Sequence, residues 1–85
     1  MSADYILFEP IEWSKIVGAE GIQEIVTDET SDHWKCITDG TNYVWCTVNE
    51  DGNVSNMSRY GGNDEDAIFE ILTEAIEGFS AHYIG

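Results

Sequence analysis

The sequence predicts an α+β fold: a small antiparallel β-meander of three to four strands packed against a C-terminal amphipathic α-helix. Three observations predict it. Apolar-polar runs in the middle of the chain are separated by turn-forming clusters. An apolar stripe at helical spacing follows them between residues 68 and 79. Hydrophobic residues fill 42% of the 85 positions, enough for one modest core in a single acidic domain spanning residues 1–85.

Tyr5-Ile6-Leu7-Phe8 is aromatic and apolar, so Asp4 to Phe8 reads as a strand that Pro10 is expected to end. Residues 11–27 admit two readings. Pro10 suits a helix start, and Ile11, Trp13, Ile16 and Val17 form a short apolar face. Gly18 and Gly21 oppose one continuous helix, and Ile22 to Thr27 fits a helical turn or a strand.

Three strands are expected next. His33 to Thr38 ends at Asp39-Gly40-Thr41-Asn42, Tyr43 to Val48 ends at Asn49-Glu50-Asp51-Gly52-Asn53, and Val54 to Tyr60 ends at Gly61-Gly62. A type I turn with Gly52 in the left-handed position places Val48 opposite Val54 and Trp45 opposite Met57. The first hairpin's turn does not fix its register. One register puts Cys36 opposite Cys46, where a disulfide is conceivable.

Ile68, Ile71, Leu72, Ala75, Ile76 and Phe79 recur at i, i+3, i+4, i+7, i+8 and i+11, so a helix is expected there. Asn63 suits its N-cap, acids at 64–66 complement the positive end of its dipole, and Gly78 suits its end. Ala81 to Ile84 can add a short edge strand.

Seventeen acidic residues against three basic ones give a formal charge of −14. Like charges repel in the compact state, so the charge reads as a surface property serving solubility, a high-salt environment or a positively charged partner. The acids run from Asp4 to Glu77 rather than in one block, and the apolar content is too high for a disordered acidic tail. Only Lys15, Lys35 and Arg59 can neutralise phosphates, which disfavours direct binding to nucleic acid or anionic lipid. No basic segment precedes an apolar run, so no signal peptide is expected and the cytoplasm is the default location, where Cys36 and Cys46 stay reduced.

The most ordered acids are Asp66, Glu70, Glu74 and Glu77, at i, i+4, i+8 and i+11 opposite the apolar stripe. Neighbours on such a row stand about 5–6 Å apart at Cβ. Phosphates along a strand advance about 3.4 Å along the axis and lie wider apart through space, so the row can imitate them. The alternative is an ordinary solvated helix face, weakened by the absence of any Lys or Arg after Arg59. Asp28, Glu29 and Asp32 form a second cluster that can extend the negative surface, and Glu50-Asp51 a third; each alone reads as a solvated turn.

Other chemistries fit poorly. A calcium loop around Asn49 to Gly52 would need a bidentate Glu at its twelfth position, where Ser58 stands. His33, Cys36, Cys46 and His82 lack Cys-x-x-Cys spacing, so the thiols read as structural and no metal or cofactor is expected. No nucleophile motif surrounds the Ser, Cys or His residues, and a chain this short has little material for a deep cleft, so an enzyme is not expected. Trp34 and Trp45, with Tyr43 and Met57, can line the face under the helix. Trp45, Tyr43 and Tyr60 can instead lie on the open face as interface anchors. The aromatics exceed what one such helix covers, so some exposed aromatic surface is expected.

The reading that follows is a small acidic inhibitor that binds a basic nucleic-acid-binding protein or nuclease by mimicking nucleic-acid charge. In size and charge the chain is similar to the small acidic inhibitors that phages deploy against CRISPR and restriction systems. It also resembles, in the same respects, immunity proteins that neutralise nuclease toxins. The first resemblance implies an anti-CRISPR or anti-restriction role in a host cytoplasm, the second an antitoxin. A generic acidic domain adapted to high salt is the remaining alternative.

Overall fold

The computed structural model describes residues 1–85. Its elements are β1 (Ser2–Glu12), α1 (Trp13–Val17), β2 (Gln23–Ile25), β3 (Trp34–Thr38), β4 (Tyr43–Val48), β5 (Asn53–Tyr60), α2 (Glu65–Ala75) and β6 (Ala81–Tyr83). The strands form one antiparallel sheet in the order β2-β3-β4-β5-β1-β6. This corrects the expected fold. The protein is mostly a six-stranded sheet with two short helices, not a three- to four-stranded meander closed by a C-terminal helix.

Three local features make the difference. First, β1 does not stop at Pro10. It pairs with β5 at Ile6–Asn56 and resumes at Ile11–Val54, so residues 7–10 stand against Ser55 alone. Pro10 falls in this irregular stretch, where the ladder asks for no N–H from it. Second, residues 23–25 settle as a strand, β2, against β3. Third, the chain turns at Gly78 (φ +86°) and returns as β6 beside β1, the short edge strand expected from Ala81 to Ile84, so the sheet has six strands and α2 is not the last element.

Ser55 also resets the β4–β5 hairpin. Val48 pairs with Val54, and Gly52 takes a positive φ of 83°. The register then shifts by one, so Trp45 faces Ser58 and Met57 faces Cys46, not Trp45. A one-residue slip exchanges the faces of all side chains beyond it. Trp45 and Met57 therefore lie on opposite faces of the sheet.

One face is covered. Leu7, Ile37, Val44, Cys46, Val48, Val54 and Met57 pack under Ile16, Ala19 and Ile22 from the α1 region and Ile68, Leu72, Ile76 and Phe79 from the α2 region. Fully burying one such large side chain contributes about 1.5–3 kcal/mol. At five residues α1 is too short to persist alone. Ile16, fully buried, and the Trp13 N–H bond to the Gly52 carbonyl (3.0 Å) hold it against the β4–β5 hairpin.

The first hairpin pairs Cys36 with Trp45 and Ile37 with Val44. Asp39 accepts from the N–H groups of Thr41 (2.8 Å) and Asn42 (2.7 Å) and sets that turn. Cys36 and Cys46 thus fall on opposite faces, both buried and free, and the conceivable disulfide is excluded by geometry. Burial raises the Cys36 thiol to about 11 and pushes Cys46 higher still. No helix is long and apolar enough to cross a membrane.

Candidate functional site

The acidic row begins in the first turn of α2. The N-cap is Asp64, not Asn63: its carboxylate accepts from the Asp66 N–H at 3.1 Å. Asn63 instead bridges the strands, accepting from the Tyr43 N–H (3.0 Å) and donating to the Tyr60 carbonyl (2.7 Å). Asn42 accepts from the Asp64 N–H at 2.9 Å and completes this corner. Asp66, Glu70 and Glu74 are exposed on α2. Glu77 is exposed but lies beyond the helix, which ends at Ala75 with Ile76 extended (φ −125°, ψ 112°). The row is therefore three residues long on the helix. The last turn carries no cation to offset Glu74 at the negative end of the dipole.

Glu65 behaves differently from its neighbours. It is buried, and one oxygen accepts both from the Tyr5 hydroxyl (2.7 Å) and from Arg59 Nε (3.2 Å). Arg59 also donates to the carbonyls of Gly61 (3.2 Å) and Met1 (3.4 Å). Burial pushes the Glu65 carboxyl up, but the Tyr5 and Arg59 contacts outweigh it and hold the group below the usual glutamate range. The same hydrogen bond to Glu65, then burial, raises Tyr5 to about 12. This knot fastens the first turn of α2 to β1 and β5, and it takes up the only arginine.

Asp28, Glu29 and Asp32 are exposed on the loop between β2 and β3. Thr27 and Thr30 shape that loop: Thr30 Oγ1 accepts from the Thr27 N–H (2.9 Å) and Thr27 Oγ1 from the Glu29 N–H (3.1 Å). Glu29 and Asp32 border different depressions. Asp32 borders a depression with Glu50, Asp51, Trp13 and Lys35. Glu29 borders two depressions on the uncovered face of the sheet. Lys35 Nζ sits 5.3 Å from the centre of the Trp13 ring, a cation–π contact within the fold.

That uncovered face carries what residue spacing left open. Trp34 and Trp45 stack at 5.2 Å with their planes 6° apart, and Tyr60 meets Trp34 edge-on at 6.5 Å. Tyr43 and Tyr60 are 39% and 41% exposed at the margins of this cluster, whereas Trp45 is buried within it. Of the two placements open to these aromatics, the open face holds; only Met57 lies under the helices. No three His, Cys, Asp or Glu side chains converge as a metal site.

Chemically, the surface presents carboxylates and aromatic rings. Every acidic residue except Asp39 and Glu65 is exposed. Comparison with protein-family models, with curated proteins and with solved structures found no match for this chain.

Proposed function

We propose that the protein is an inhibitor that binds a basic nucleic-acid-handling protein, presenting carboxylates where that partner receives phosphates. The observation that carries this reading is the way the fold distributes its charge. The carboxylates face solvent almost without exception, while Arg59 is bound to Glu65 and Lys35 lies over Trp13. Lys15 is the one cation left without such a contact. A negative field of this kind steers a basic partner inward and repels nucleic acid and anionic membranes. The protein works by occupancy and contributes no catalysis of its own. An anti-CRISPR or anti-restriction protein acting in a host cytoplasm is the role proposed. An immunity protein against a nuclease toxin would use the same chemistry.

Capture from a host lysate with tagged protein, at low and at high ionic strength, tests the reading. A basic nuclease or CRISPR-effector subunit recovered at low salt and lost at high salt supports it. A domain merely adapted to high salt would recover no such protein and would itself unfold when salt is removed.

A further inference from the structure

We infer that the open face of the sheet holds a receptor for an arginine side chain of the basic partner, formed by Trp34, Trp45, Tyr43, Tyr60 and Glu29. The inference deepens the proposed function and rests on it. These five residues line one depression of about 390 Å³. Glu29, Tyr43 and Trp45 also line an adjoining one of about 270 Å³, with Ile25 and Cys36.

The walls are fixed by the sheet. Trp34, Trp45 and Tyr60 project from β3, β4 and β5; the Trp34–Trp45 stack forms the floor of the depression, and the exposed rings of Tyr43 and Tyr60 stand at its margin. The rim is fixed too, because Asn63 and Asn42 clamp the Tyr43 and Tyr60 backbone to the start of α2. That clamp joins the aromatic face to the first turn of the acidic row, so one partner can engage both.

Charge selects the occupant. A second copy of the chain would bring −14 against −14, and a neutral apolar segment would leave Glu29 without a counter-charge. The chain has no cation of its own for this site. Arg59 belongs to Glu65, Lys35 to Trp13, and Lys15 borders a different depression with Glu20 and Glu77. Aromatic faces attract cations, and the Glu29 carboxylate adds a charge that a guanidinium pairs with. Arginine fits better than lysine, because its planar guanidinium stacks on a ring while its forked N–H groups reach a carboxylate.

The test titrates the full chain, by tryptophan fluorescence at low salt, with an oligo-arginine and an oligo-lysine peptide of equal length. The arginine peptide is expected to bind roughly tenfold more tightly. Glu29→Gln and Tyr60→Leu, both at exposed positions, should erase that preference with the circular-dichroism spectrum unchanged. Should Tyr60→Leu disturb the spectrum, Tyr43→Leu serves in its place. Charge reversal on α2 should weaken both peptides alike and leave their ratio intact. Equal affinities in the unmodified protein, or a ratio that survives both groove substitutions, overturns the receptor while leaving the inhibitor reading standing. Failure of both peptides to bind at all overturns the inhibitor reading itself. Concentration-dependent dimerisation abolished by Tyr60→Leu would assign the face to a second copy and overturn the receptor as well.

Discussion

Replacing Asp66, Glu70 and Glu74 together with lysine is expected to weaken binding to the proposed basic partner about a hundredfold or more, with the fold intact. The change moves the formal charge from −14 to −8, each of three substitutions shifting it by two. If each reversal costs the interface about 1 kcal/mol, the upper end for exposed pairs, the three together approach 3 kcal/mol, or about a hundredfold in affinity. Like charges brought face to face add to that cost. The helix itself should be nearly indifferent. Its present row already repels at i, i+4, and a lysine row repels equally. Lysine at 66 forfeits about 0.3–1 kcal/mol of favourable dipole interaction in the first turn, and lysine at 74 regains a similar amount in the last. Thermal unfolding should therefore move little while capture of the partner disappears. Capture that persists unchanged would make the α2 row a solvated face and no more.

The second large effect is on stability. Glu65→Ala is expected to lower the unfolding free energy by about 3 kcal/mol, measured by urea denaturation. It leaves Arg59 without its carboxylate and the Tyr5 hydroxyl without its acceptor. The value stands at the low end for a broken buried pair because Arg59 keeps two carbonyl acceptors. The pH dependence follows from the same knot. Glu65 is held below its ordinary range, so its contribution is present at neutral pH and lost as pH falls below about 4.3. Tyr5 is raised to about 12, so its contribution is present below the ordinary tyrosine value near 10 and lost as pH climbs toward 12. Tyr5→Phe should remove that alkaline loss and cost roughly 1.5 kcal/mol at neutral pH, the low end for a hydrogen bond to a charged group.

The helix stripe was legible because its period is local: Ile68 and Leu72 sit in the core as their spacing requires. Its end was not. Ile76 and Phe79 are also buried, but on backbone that has left the helix to turn at Gly78, which apolar spacing alone does not distinguish. The extension of β1 through Pro10 depends on Ser55, more than forty positions away, absorbing the irregularity across the sheet. Alternation along β4 divides Trp45 from Cys46 but cannot say which face the helices cover, and the bulge at Ser55 decides which residues share each face. Glu65 looked like one acid among three in a first turn. Its burial depends on Tyr5, 60 positions earlier in the chain. The exposed carboxylates were legible from composition. The aromatic cluster with Glu29 at its border needed the β2–β3 loop to bring Glu29 to the open face, which no local pattern specifies.

Competition between this protein and nucleic acid for the captured partner tests the central claim most directly. With the partner fixed and labelled nucleic acid titrated, rising concentrations of the acidic protein should raise the apparent Kd in proportion and leave the saturating signal unchanged. The effect should fade as salt increases. A stable ternary complex, in which the partner holds nucleic acid and this protein together with unaltered affinity for each, would contradict it.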